Sequence, residues 1–157
     1  MNMYQNTRLR CLIIMCVSLV IALPPLWPQT MLPEGRQDEP LSYIGMRLDE
    51  LFRRLGPPQS VYAVRGEEQW QDDVVFKYSE GDFYIYRDRI WQVGLRSAYG
   101  MKVGDTRAVA LLALGNNVYD QSDYILYSFP GGAWPLSLRV NFREGLISAI
   151  FVYRPDY

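Results

Sequence analysis

The sequence predicts an α+β fold: two tandem helix-plus-antiparallel-hairpin repeats forming one joined sheet with the helices on one face. Three observations predict it. A helix frame that opens and closes on glycine occurs at Gly45 and Gly56, and again at Gly104 and Gly115. Each frame is followed by three strand-like runs separated by turn residues. The closing hairpins of the two halves align, FYIYRDRIWQV over RVNFREGLISA, with Arg87 on Arg143. Two copies are too few for a solenoid, so a single shared sheet is expected. The expected bounds are 41–99 for the first repeat and 100–157 for the second.

Ahead of the repeats, Arg8 and Arg10 precede an apolar run over 11–23 and the pair Pro24-Pro25. That is the outline of a targeting segment, and 1–23 is left out of the fold. It reads as a cleaved signal peptide, with Val20 and Ala22 as the small residues, or as a retained anchor at the lower edge of the roughly 17–25 apolar residues a span needs. A lipoprotein signal through Cys16 is a third route, with Met15 standing where a small residue belongs. Residues 24–40 carry five prolines and read as an extended linker.

In the first repeat Met46, Leu48, Leu51, Phe52 and Leu55 fall at helical spacing. Asp49 and Glu50 come early and Arg53 and Arg54 late, the order that suits the helix dipole. Gly56 supplies a left-handed cap, and Pro57 and Pro58 cannot continue the helix. A polar stretch follows, and then strands are expected over 74–78, 83–87 and 90–95. The second repeat runs in the same order: a helix over 105–114 stops at Gly115, and strands are expected over 124–129, 136–142 and 146–153. Gly131-Gly132 and Glu144-Gly145 mark its turns.

Composition excludes more than it identifies. The formal charge is −1, and setting aside Arg8 and Arg10 leaves 14 of the 16 basic residues against 17 acidic ones, a charge of −3. A nucleic-acid binder would carry a basic footprint instead. Both cysteines, Cys11 and Cys16, lie in the leader, and the chain contains no histidine. The part beyond the leader therefore has no disulfide, no thiolate metal site and no cysteine nucleophile, and it lacks the commonest general base and zinc ligand. No nucleophile elbow, phosphate loop or calcium loop occurs, so no catalytic residue, metal or cofactor is assigned.

The segment IGMRLDELFRRLGPP, followed by a strand with Trp70 ahead of it, is similar to the helix motif I-x-x-G-M-x-x-x-E-V-x-x-x-L-G-x-P of the SmpA/OmlA outer-membrane lipoproteins. Two such modules in tandem resemble the beta-lactamase inhibitor protein fold, in which paired units form an eight-stranded sheet with helices on one face. The resemblance covers 41–157 and implies an exported binding scaffold. The chain departs from the inhibitor in having no cysteine after residue 16, and from the lipoproteins in lacking a clean lipobox.

Helices on one side would leave the other strand face for function. The repeat alignment puts Phe83, Ile85 and Arg87 in register with Arg139, Asn141 and Arg143, and Gln92 with Ser148. These eight residues are the expected partner-binding set, because the second-half trio is polar. Leu138, Val140, Phe142, Tyr84 and Tyr86 are then expected to point into the core. Taken alone, the first half suggests the reverse for its tyrosines, a difference of one bulge or a one-residue slip. The chain is 14% aromatic with 12 tyrosines, and Tyr, Trp and Arg supply contact area at protein interfaces.

The function expected is an exported, non-enzymatic protein-binding module, inhibitor-like or an envelope-assembly accessory, in the bacterial periplasm or secreted. Its N-terminal segment would tether it to the inner membrane if retained. The rival is a small curved-sheet enzyme or ligand-binding protein of the NTF2-like type. That reading needs a buried carboxylate near tyrosines. The candidates Glu67, Glu68, Asp72, Asp73, Asp82 and Asp88 all lie in turn-like polar stretches, where carboxylates are ordinarily solvated.

Overall fold

The computed structural model describes residues 38–66, 73–132 and 134–156. The leader, the linker up to residue 37, and Glu67, Glu68, Trp70 and Asp72 lie outside the described residues. The last linker residues enter a four-residue helical turn, α1 (Asp38–Leu41). Two eight-residue helices follow along the chain, α2 (Leu48–Leu55) and α3 (Arg107–Leu114). The first half contributes strands β1 (Ser60–Val64), β2 (Asp73–Lys77), β3 (Asp82–Tyr86) and β4 (Arg89–Leu95). A small two-stranded ribbon, β5 (Ser97–Ala98) and β6 (Met101–Lys102), leads into α3. The second half contributes β7 (Tyr119–Asp120), β8 (Tyr124–Ser128), β9 (Ser137–Arg143) and β10 (Leu146–Tyr153).

All eight long-sheet strands lie in one sheet of order β1-β2-β3-β4-β10-β9-β8-β7, with every pairing antiparallel. The chain is therefore not the α+β tandem repeat with helices on one face that the sequence predicts; it is mostly sheet. Each half supplies four strands to the sheet rather than three, because Ser60–Val64 and Tyr119–Asp120 pair where a post-helix loop was expected. The dimensions say why helices do not form a layer. A helix of eight residues is about 12 Å long, whereas eight strands side by side span about 34 Å.

Both helices are short because their stops are built into the backbone. Gly56 has φ 76° and ψ −159°, Gly115 has φ 73° and ψ −162°, and their N–H groups bond back to Phe52 O and Leu111 O. The starts are stitched to hairpins. Gly45 N–H donates to Ile90 O at 2.7 Å and Leu48 N–H to Asp88 O at 3.2 Å, while Gly104 N–H donates to Ile147 O at 2.8 Å and Arg107 N–H to Gly145 O at 3.2 Å. Glu50 accepts from the Arg47 N–H at 2.9 Å, and Arg47 reaches Asp88 at 3.0 Å. These contacts hold Leu51 of α2, and Ala110 and Leu114 of α3, in one buried cluster with Phe83, Ile90, Val93, Ile125, Leu138, Val140, Ile150 and Val152 of the sheet. Burying each large aliphatic or aromatic side chain there is worth about 1.5–3 kcal/mol.

The register overturns the expected faces of the first half. Phe83 is fully buried and Ile85 nearly so, both in the core cluster, so neither lies on the open face. Tyr84 and Tyr86 alternate with them and take the opposite face instead of the core. The cause is a slip of one residue in the hairpin alignment. Turn residues with positive φ are Arg87 and Asp88 in one hairpin, and Glu144 and Gly145 in the other. Arg87 thus corresponds to Glu144, not to Arg143. Each hairpin also bulges on its return strand, at Trp91 and at Ser148, so these two correspond where Gln92 and Ser148 were aligned. A one-residue slip moves every side chain of a strand to the other face.

Candidate functional site

Away from the core cluster, the sheet shows an aromatic face built from cross-strand neighbours. Register sets Tyr62 of β1 opposite Val75 of β2, Val75 opposite Tyr84 of β3, Tyr84 opposite Gln92 of β4, and Gln92 opposite Tyr153 of β10. Phe151 lies on the same face, opposite Gly94 and Arg139. Val75 is fully buried yet stands outside the core cluster, so its cover comes from this face's own side chains. The rings of Trp91 and Phe151 meet Tyr84 edge-on, with centroids 6.4 and 6.3 Å away. The bulge at Trp91 turns an additional large ring to this face beside Gln92. Gly94 leaves the room that Phe151 uses: a methyl group there would sit 3.2 Å from the ring.

The Trp91 indole N–H donates to the Asp73 carboxylate at 3.0 Å. Burial first, and then the negative charge of Asp82, push the pKa of Tyr62 above the ordinary value. Burial pushes up Tyr84 as well, aided by Tyr62, Asp82 and Asp73. Toward the far edge, the Arg139 guanidinium lies 4.3 Å from the centre of the Tyr124 ring and donates to Asn141 at 2.8 Å. Tyr119 packs on Tyr124 with centroids 6.3 Å apart. The stack of Arg139 on Tyr124 fixes a cation that would otherwise sample many rotamers.

Three residues expected from the sequence, Gln92, Arg139 and Asn141, are on this face, on β4 and β9, the two strands that flank β10. Arg143 ends β9 at the exposed hairpin, Ser148 is exposed at the bulge, and Arg87 sits in the other turn with its guanidinium 5.1 Å from the Tyr86 ring. Phe83 and Ile85 belong to the core. The sequence reading missed Tyr62, Tyr84, Trp91, Phe151 and Tyr153. The alternation of the first half read without its partner pointed to Tyr84 and Tyr86.

A separate concavity of about 690 Å³ lies beside the β5–β6 ribbon, with Tyr43, Met101, Lys102 and Asp105 in its lining. Its two carboxylates are engaged locally, since Asp105 accepts the Lys102 N–H at 2.9 Å and Glu80 accepts the Ser79 hydroxyl at 2.9 Å. Among the described residues no group of three or more His, Cys, Asp or Glu is placed to hold a metal ion. Among them, too, no helix is long and apolar enough to cross a membrane.

No family model matches the chain, and no curated protein matches it. A solved structure of an extracellular protein containing a SCP domain from Bacillus anthracis str. Ames matches with a TM-score of 0.47 and 9% sequence identity over 82% of this chain. The chain spans 49% of that protein's length, and a likeness at that level carries no functional argument.

Proposed function

We propose that the chain is an exported, non-enzymatic protein-binding module that presents the aromatic sheet face to a protein partner. The observation that carries the reading is the row Tyr62, Tyr84, Trp91, Phe151 and Tyr153, set on paired strands around a buried Val75. Rings held on strands offer contact area at little entropic cost, and Arg139 adds a charged group already ordered on Tyr124. A carboxylate of the face supports binding over catalysis. Asp73 accepts the Trp91 indole N–H, a bond that a general base would have to give up. Export is supported by the apolar run over 11–23 behind Arg8 and Arg10. The likeness of 44–58 to the SmpA/OmlA helix motif supports a place in the bacterial envelope, periplasmic or secreted.

The test is a binding comparison on the exported proteins of the native host. Tyr84→Ala and Arg139→Ala are expected to weaken capture of a saturable partner at least tenfold, while Leu112→Ala, at a side chain 83% exposed on α3, leaves it unchanged. Equal capture by all variants would remove the open face from the reading. The intact mass of the exported protein decides between a free domain and one tethered by its leader.

A further inference from the structure

Of the ten large hydrophobic residues exposed among the described residues, five gather at one edge of the sheet: Phe52, Val61, Tyr62, Val64 and Val74. That concentration makes the edge, not only the face, a surface to account for. The edge is β1, whose residues SVYAV are all exposed and which pairs, among the described residues, with β2 alone. An edge strand turns alternate N–H and C=O groups outward. Monomeric proteins blunt such edges with charge, proline, bulges or shortness, and the strand itself holds neither charge nor proline.

The opposite edge is blunted. β7 is two residues long, and at its end the Arg107 guanidinium bonds the Asp120 carboxylate and the carbonyls of Gln121 and Ser122. Among the described residues, the sheet thus carries one edge blunted by shortness and one longer open edge.

We infer that β1 pairs antiparallel with β1 of a second copy of this chain, about a two-fold axis at Tyr62. In that register Tyr62 meets its own counterpart, Ser60 meets Val64, and Val61 meets Ala63. No like charges come together, and a branched side chain meets a small one. Just beyond the strand, Gln59 comes opposite Arg65, again without repulsion. On the core-facing side the exposed Val61 and Val74 adjoin Phe52, whose ring packs on Phe76 at 5.7 Å, so the apolar strip continues across the axis. The edge offers main-chain pairing and self-complementary side chains, the requirements of an isologous contact. This inference is independent of what the open face binds.

The test uses the full chain carrying Cys11→Ser and Cys16→Ser, so that any thiol is an introduced one. The parent is expected to sediment at twice the chain mass. Adding Tyr62→Cys should give a covalent dimer on oxidation, because opposed residues of an antiparallel pair lie about 4.5–5.5 Å apart at Cα, inside the roughly 4.4–6.8 Å range of disulfides. Tyr119→Cys, at the opposite edge, should give no covalent dimer on oxidation. Val61→Lys replaces a side chain 51% exposed, so it should keep the parent's circular dichroism while weakening the dimer at least tenfold. A parent of single-chain mass, a dimer indifferent to Val61→Lys, or equal cross-linking through Tyr119→Cys would overturn the inference.

Discussion

At the scale of residues, Tyr62 and Tyr84 report on the open face directly. Both hydroxyls have pKa values raised above the ordinary 10.0, by burial first and then by neighbouring negative charge. A raised value means that the folded state holds the proton more firmly than the unfolded chain does. The associated stability is fully present below pH 10.0 and is lost as pH rises through the folded-state values. Ultraviolet titration should therefore show a tyrosine fraction that ionises later than the exposed ones, with unfolding free energy falling over the same range. Asp82→Asn should shift Tyr62 back toward its ordinary value, because it removes the charge beside the hydroxyl. An unchanged titration curve would place Asp82 away from Tyr62. Trp91→Phe should cost about 1–2 kcal/mol in chemical denaturation, since it leaves the Asp73 carboxylate without its indole donor.

At the scale of elements, the positions of β2, β3, β4, β8, β9 and β10 were legible within a residue, because alternation and turn residues are local signals. The helix stop at 56–58 was legible for the same reason, since Gly-Pro-Pro acts on its own backbone. Gly56→Ala should destabilise the protein by about 1–3 kcal/mol, because φ 76° with ψ −159° is a region that essentially only glycine enters. A change within error in denaturant midpoint would show that the chain exits α2 another way. The faces of the first half were not legible. Arg87 and Arg143 look equivalent as letters, yet one is a turn residue with φ 48° and the other ends a strand. Only the two-residue turns and the bulges at Trp91 and Ser148 settle the correspondence, and no periodicity encodes a bulge. Gln92, Arg139 and Asn141 share the open face because the polar alternation of β9 is clean, and Gln92 sits where the bulge restores the face.

At the scale of the whole molecule, neighbouring residues on β3 separate folding from binding. Phe83→Ala should cost about 3–5 kcal/mol, the range for a buried aromatic in a close-packed core. Tyr84→Ala, one residue on, should cost clearly less stability while removing the centre of the aromatic row, so the two variants should reverse order between a melting and a binding experiment. Equal losses in both would mean that the two sheet faces are not functionally distinct. Local pattern and composition are enough to say where most strands and both helices run, where they stop, and that the chain beyond residue 16 has neither thiol nor imidazole. Those are properties of adjacent residues and of composition. Long-range strand pairing sets that sheet outweighs helix, that β4 joins β10 at the centre, that Tyr84 rather than Phe83 faces outward, and that β1 is, among the described residues, an open edge. These depend on pairings between residues far apart in the chain, where a shift of one position costs nothing in local pattern and exchanges the two faces of the sheet.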